Sequence, residues 1–436
     1  MNAISSFLDN FFKVRSNGSS VKTEVLAGIT TFLTMSYIIM VNPDILANTG
    51  MDKGAVFVAT CLAASLGCML MGVIANYPIA IAPGMGLNAY FTYSVCIGMN
   101  VPWQVALAAV FVSGLLFVAL SLARVREAII NGMPKSLKFA ITAGIGLFLA
   151  LIALKSAGVV VAHPVTFISM GDVRNPGVLL AGLGLLMIIA LDHFRVRGAI
   201  IISILAITLL SMLLGLSQWN GIVGEVPSLA PTFMQMSFKD LFTVQLVSVI
   251  FVFFLVDLFD STGTMIGVAH RAGLLQDGKL PRLKKALLAD STSIVAGAVM
   301  GTSSTTAYVE SAAGAAAGGK TGLTAVTVGL LFIAALWFSP LAMSVPAYAT
   351  APALLYVGVL MVRGLAEIEW DDITEAAPAF LTAVFMPFAY SIADGIAIGF
   401  ISYALIKLLC GQGKKVPMMV WVVALLWALK FWYFGG

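Results

Sequence analysis

Charge is what this sequence has least of. Asp, Glu, Lys and Arg make up 10% of its 436 residues, against 60% hydrophobic. A soluble domain carries about 25% charged residues, because its surface must be held in water. The shortfall excludes a soluble globular protein and implies an all-α chain that crosses a membrane many times. Histidine is also sparse. His163, His193 and His270 are the three present, each in or near a loop, so none reads as a coupling group. There is no HExxH and no Ser/His set, and no protease motif surrounds the paired aspartates discussed below, which argues against an enzyme. The four cysteines, Cys61, Cys68, Cys96 and Cys410, lie in apolar stretches without CxxC or metal spacing and read as core fillers. No cofactor is implied. The net charge of +4 implies no nucleic-acid partner.

What is present is apolar length. A spanning helix needs about 20 apolar residues. Fourteen candidate spans lie near 25–41, 55–76, 78–98, 102–122, 137–158, 178–192, 199–216, 241–260, 286–300, 302–318, 321–338, 350–363, 377–391 and 395–410. A further apolar run, 416–434, either spans as a fifteenth helix or lies at the interface. Lys and Arg in short loops set topology. Lys13, Arg15 and Lys22 precede the first span and put the N-terminus inside. On the same side fall Arg124, Arg126, Lys135 and Lys138, then Arg195 and Arg197, then Arg271, Lys279, Arg282, Lys284 and Lys285, then Lys414 and Lys415. The loops counted as outside, such as 42–54 and 217–240, are nearly free of both residue types. The start, "MNAISSFLDNFFKVRSNGSSVKTE", has no cleavable signal pattern and reads as a cytoplasmic cap lying on the membrane. The expected location is the plasma membrane, with the lipid bilayer as the first partner.

Two spans are poor helices. The third contains "YPIAIAPGMGLNAYF" (77–91), and the tenth contains "GTSSTTAYVESAAGAAAGGKTG" (301–322). Proline and glycine at this density break a helix. Irregular backbone at membrane depth survives only inside protein or beside a wet cavity. Interrupted segments in corresponding halves point to the binding site of a secondary transporter. The halves do correspond: "TCLAASLGCMLMG" (60–72) aligns with "KALLADSTSIVAG" (285–297), an offset of 225 residues that lays span one over eight and span three over ten. Seven spans per repeat makes the two copies inverted.

An ionisable side chain at membrane depth costs about 2.5–3.5 kcal/mol on insertion scales. Few are present: Asp257, Asp260, Asp290, Glu310 and Asp394. In "DLFDSTGT" (257–264) two aspartates are expected to close span eight. Asp257 reads as a cap at that break, and Asp260 as a group turned to a substrate. Glu310 sits mid-way along span ten. Asp290 reads equally as a helix bridge or a proton relay, and Asn88 as a substrate contact or a satisfier of broken backbone. A carboxylate accepts paired N–H bonds from a planar donor. Tyr90, Phe91, Phe259 and Tyr308 offer faces on which a flat ring can stack. A carboxyl taken out of water ionises less readily and can carry a proton near neutral pH. These features suit proton-coupled uptake of a flat, neutral, hydrogen-bonding solute.

At these motifs the chain resembles a known family. "GITTFLTMSYIIMVNP" (28–43), "ANYPIAIAPGMGLNAYF" (75–91), "DLFDSTGTMIGV" (257–268), "GTSSTTAYVESAAGAAAGGKTGLTA" (301–325) and "PALLYVGVLM" (352–361) look like the AzgA-like purine permease branch of the nucleobase:cation symporter-2 family. The resemblance runs over about residues 7–434. It implies purine nucleobase:proton symport by a homodimer with fourteen spans in two inverted repeats and short strands in spans three and ten. It implies a core domain of 1–122 and 241–338 (spans 1–4 and 8–11) that moves against a gate domain of 123–240 and 339–436 (spans 5–7, 12–14 and the C-terminal apolar segment). By motif, Asp260 would contact the purine, Glu310 would anchor it, Asn88 would be the span-three polar residue, and Thr34 would line the site from span one. Asp260, Glu310 and Asp290 would carry the coupling proton. Hypoxanthine and guanine are favoured over adenine, which differs by an exocyclic amine donor where they present a carbonyl acceptor. The alternatives are uracil or xanthine transport, or an anion transporter of the same architecture, which should present a cation rather than acids at its site.

Overall fold

The computed structural model describes residues 3–122, 133–239, 241, 243–275 and 280–434. Arg124, Arg126 and Lys279, counted above as inner-loop cations, lie outside the described residues, as do the side chains of Phe259 and Arg271. Among the described residues the chain follows the fourteen-span order. Nine helical stretches are long and apolar enough to cross a membrane, and shorter apolar helices cover 199–213, 373–388 and 418–432. Span 9 is the helix Leu283–Met300. Spans 3 and 10 are broken.

In span 3 the strand β1 (Ile81–Pro83) precedes the short helix Met85–Ala89, and in span 10 the strand β4 (Thr305–Ala307) precedes Ser311–Ala316. The two strands pair antiparallel, Ile81 with Ala307, Ala82 with Thr306 and Pro83 with Thr305. The inverted relation read from the sequence appears here as a local two-fold. A second strand pair, β2 (Val160–His163) with β3 (Phe167–Met170), forms an exposed hairpin between spans 5 and 6.

Two spans differ from expectation. Span 8 does not end at "DLFDSTGT". A single helix, Val244–Arg271, runs 28 residues straight through it. Thr262 donates its hydroxyl to the Leu258 carbonyl, and Asp257 and Ser261 bond across to the chain around β4. With their polar groups spent this way, these residues have no call to compete with the helix backbone. Asp257 is therefore not a cap. Span 1, in turn, crosses as one stretch, 21–47, but changes its hydrogen bonding part-way. Helices Val21–Met35 and Ile38–Ala47 are separated at Ser36 and Tyr37. Of the cysteines, Cys61, Cys68 and Cys96 are buried as expected, but Cys410 is exposed in the turn after span 14.

The helices pack in two groups. Span 9 packs on spans 2 and 4, span 11 (Gly322–Ala335) on spans 1 and 2, and span 8 on span 4. Span 5 (Lys135–Ser156) packs on span 12 (Ala347–Val362) and span 13 (Ile373–Phe388), span 13 on span 14 (Ile392–Leu409), and span 6 on spans 7 and 12. The final helix, Met418–Phe434, lies along span 14, with Lys430 Nζ 3.7 Å from Asp394 Oδ1. The glycines of span 10 permit close approach. A Cβ on Gly314 would lie 2.7 Å from the Ala27 carbonyl of span 1.

Two buried charges hold the basic end. Glu24, fully buried, accepts from the backbone N–H groups of Lys320 and Thr321 (3.0 and 3.1 Å) and from the Thr324 hydroxyl (2.6 Å), so it caps span 11 from span 1. Lys407, buried near the end of span 14, reaches Glu375 Oε1 at 2.7 Å and the Thr374 hydroxyl at 2.6 Å, while Ser136 and Tyr403 donate to Glu375. Breaking a buried pair strands the other charge and costs about 3–5 kcal/mol. Lys407→Met is therefore expected to lower the melting temperature of the detergent-solubilised protein. Adding Glu375→Gln should restore part of the loss. A double variant no better than the single one would show that the pair does not act as a unit.

Candidate functional site

The break in span 10 is assembled from side-chain hydroxyls. Five consecutive residues, Thr302 to Thr306, each send a hydroxyl to a different neighbour. Thr302 accepts from Asn42 Nδ2 of span 1 at 2.9 Å. Ser303 donates to Asn88 Oδ1 of span 3. Ser304 donates to Asp257 Oδ2 of span 8 at 2.5 Å, and Thr305 to Ser293 of span 9 at 2.9 Å. Thr306 pairs with Ser261 of span 8 at 2.8 Å. Beyond the strands the backbone is satisfied too. Gly84 N–H donates to the Ser304 carbonyl, Tyr308 N–H to the Ala80 carbonyl, and Ala80 N–H to the Ser311 hydroxyl, each at 2.9 Å. The Tyr308 hydroxyl closes the ring on the Pro83 carbonyl at 2.6 Å.

The crossing holds two acids side by side. Asp260 projects from span 8 next to Ser261, which bonds to Thr306, and Glu310 lies three residues beyond the end of β4, at the N-cap of the helix Ser311–Ala316. Both side chains are partly exposed, unlike the polar residues behind them. The Tyr37 hydroxyl, at the break in span 1, donates to Glu310 Oε1 at 2.5 Å. From Asp260 an exposed stripe continues along one face of span 8 through Gly263, Thr264, Gly267 and His270 toward the basic end. A Cβ added at Gly263 or Gly267 would meet nothing within 4 Å, so the stripe borders open space.

The opposite end is closed. Tyr390, between spans 13 and 14, lies edge-on to Tyr93 of span 3 (6.3 Å) and to Phe148 of span 5 (5.4 Å), and its carbonyl accepts from Ser94 (3.4 Å). Nearby, Thr350 of span 12 donates to Asp44 of span 1 at 3.3 Å. The helices of the two packing groups touch at this end through Tyr390 and Thr350, and at the basic end through Arg197, whose guanidinium donates to the Thr30 hydroxyl at 3.3 Å.

The structure sorts the other sequence candidates. Asn88 is fully buried at the crossing, where its side-chain oxygen accepts from the Ser303 hydroxyl. Asp290 is buried in span 9. Thr34 turns its hydroxyl back on its own helix, to the Thr31 carbonyl at 2.8 Å. Tyr90 and Phe91 are wholly buried, and Tyr90 packs edge-on against Phe253 at 5.0 Å, so neither offers a face to a ligand. Tyr308 is also buried, between the strands and Glu310 in the chain, with its hydroxyl on the Pro83 carbonyl. Phe259 falls outside the described side chains. Sequence reading missed Tyr37, Ser303 and Ser304. The available signal was their place inside "MSY" and "GTSSTT", polar text in otherwise apolar spans.

A family model described as the permease family matches residues 22–398. The chain is 50% identical to the adenine permease AdeP of Escherichia coli K12 over 97% of this chain and 95% of that protein. It is 48% identical to the guanine/hypoxanthine permease PbuG of Bacillus subtilis 168, over 97% and 99%. A nucleobase transporter of Paenibacillus larvae, PlAzg2, matches at 37% over 89% and 78%. Among solved structures, the transmembrane domain of the cyanobacterial bicarbonate transporter BicA superposes with a TM-score of 0.65 at 15% identity, covering 85% of this chain and 96% of that one. Murine Slc26a9 in its inward-facing state gives 0.63 at 10%, covering 94% and 73%. These likenesses carry the fold of spans and crossing strands. Identity over nearly the whole length carries the kinship: the chain belongs to the permease family of nucleobase:cation symporters.

Proposed function

We propose that this protein takes up purine nucleobases by proton symport. The observation that carries the reading is two acids at the crossing of the broken spans: Asp260, next to the Ser261 that bonds to Thr306, and Glu310, held by the Tyr37 hydroxyl, both partly exposed. A purine presents ring N–H groups in a plane, and two carboxyls at one site match that pattern of donors. Tyr308 lies beside them as an aromatic neighbour. The relatives named as adenine and guanine/hypoxanthine permeases support the same substrate class. An anion transporter of this fold would need positive charge where these acids stand.

Asp260 and Glu310 are the substrate contacts and proton carriers in this reading, and Asp290 a relay behind them. Asn88 acts by holding the chain before β4, and Thr34 lines the approach from span 1. Transport proceeds by movement of spans 1–4 and 8–11 as a core against spans 5–7 and 12–14 as a gate. The open stripe on span 8 and the closed contact at Tyr390 support a state open to the cytoplasm. The protein sits in the plasma membrane with a cytoplasmic N-terminus, as a homodimer that light scattering of the solubilised protein would count. Hypoxanthine and guanine are the favoured cargo. Adenine swaps an acceptor for a donor at one ring position, and a site built around hydrogen bonds discriminates strongly at such a position.

Cells lacking their own purine transport, supplied with this chain, should accumulate labelled hypoxanthine. A protonophore should abolish the accumulation, since one proton crossing 100 mV is worth about 2.3 kcal/mol, near fiftyfold. Cold adenine, guanine, xanthine and uracil added as competitors rank the cargo. Uptake of none of these bases would sink the reading. Asp260→Asn and Glu310→Gln should each lower Vmax/KM about 30-fold or more, the scale of about 2 kcal/mol for an unmatched buried charged partner. Wild-type rates in both variants would remove the acids from the mechanism. Gly267→Cys should react with an impermeant thiol reagent from the cytoplasmic side in inverted vesicles. Reaction only from the other side would reverse the assigned state.

A further inference from the structure

The break in span 1 has a purpose in the site that neither the sequence pattern nor the relatives assign. Tyr37 lies at the break and is 1% exposed. Its hydroxyl donates to Glu310 Oε1 at 2.5 Å, the one hydrogen bond that joins span 1 to the acid pair among the described residues. The residue taken from the family pattern, Thr34, lies one turn earlier and spends its hydroxyl on its own helix. Glu310 is not held by the neighbouring helix. It precedes the six-residue helix Ser311–Ala316, and its side chain makes no cap bond there. A glutamate with three side-chain torsions at the rim of an open space would sample several positions, and ordering it on binding would cost affinity. A tyrosine ring locked in a packed core is a stiff support. Its O–H takes one carboxyl oxygen and fixes the plane in which the other meets a flat donor.

We infer that Tyr37 is the positioning residue that presents the Glu310 carboxyl to the nucleobase. The inference rests on the purine reading for its substrate and on the hydrogen bond alone for its geometry. Tyr37 sits where the helical hydrogen bonding of span 1 is interrupted, and its hydroxyl reaches across to span 10.

The test uses the full-length protein. Tyr37→Phe keeps the buried ring and removes the donor. Hypoxanthine or adenine uptake is expected to show a KM raised about tenfold with Vmax within about twofold, the scale of one lost charge-assisted hydrogen bond. Tyr37→His, which keeps a ring donor, should recover part of that KM. A second arm needs no substrate. Dicyclohexylcarbodiimide, a lipid-permeant carboxyl reagent, is applied to the purified protein, and modification of Glu310 is followed by peptide mass. In Tyr37→Phe the Glu310 rate should change about threefold or more, with the other carboxyls unaffected. Unchanged KM together with unchanged labelling would overturn the inference. So would loss of both variants from the membrane, which would make Tyr37 a packing residue. Wild-type protein that moved no purine would refute the transport reading, while the labelling arm would still decide the role of Tyr37.

Discussion

Everything distinctive in this structure follows from one requirement: a backbone N–H or C=O at membrane depth must find a partner. Spans 3 and 10 cannot be helices at Pro78, Pro83 and the Gly-rich text that follows, so their backbones have to pair with something. They pair with each other, three residues against three. A strand pair that short leaves its flanks open, and the flanks are closed by the row from Thr302 to Thr306 and by the Tyr308 and Ser311 side chains. The row reaches spans 1, 3, 8 and 9. The crossing is therefore a joint that ties four helices to one peptide segment.

The joint also explains where chemistry can occur. Inside it the polar side chains are buried, and Asn88 and Asp257 belong to this inner layer through Ser303 and Ser304. At its edge stand two partly exposed carboxyls, Asp260 and Glu310. A single helix could not have supplied that arrangement, since Asp260 comes from a continuous span and Glu310 from the turn between β4 and the short helix that follows it. The distinction is between acids buried in the scaffold and acids left partly exposed at its edge. Asp257 and Asp260, three residues apart on one helix, fall on opposite sides of it.

Much of this was legible in the sequence because membrane physics leaves few options. Twenty-residue apolar runs gave the spans, and Lys and Arg gave the basic end. The prolines and glycines of "YPIAIAPG" and "GTSSTTAYVESAAG" marked the two breaks. The failures have a common cause. Helix-breaking residues in span 8 suggested an end at Asp260, but their hydroxyls and carboxylates bond across to span 10, so tertiary contacts override local preference. In span 1 the reverse occurs: "TMSYIIM" has no proline or glycine to announce a break, and one forms at Ser36 and Tyr37. Glu24 and Lys407 were hard to recognise because they lie at span ends, where a charge normally reaches water. Their partners, Thr321 and Glu375, are brought in only by the fold.

The strand pair has a consequence for how the molecule is made. Ala82 and Thr306 are 224 residues apart in the chain (306 − 82). At about 5–20 residues per second, roughly 10–45 s separate the synthesis of the two halves of the joint. Throughout that interval span 3 is in or near the bilayer with three residues of unpaired strand. It cannot settle in lipid as the helical spans around it can. The growing chain must hold it in a wet or sheltered place until span 10 arrives. Membrane insertion and folding are then one event for this protein, completed only when the second inverted repeat meets the first.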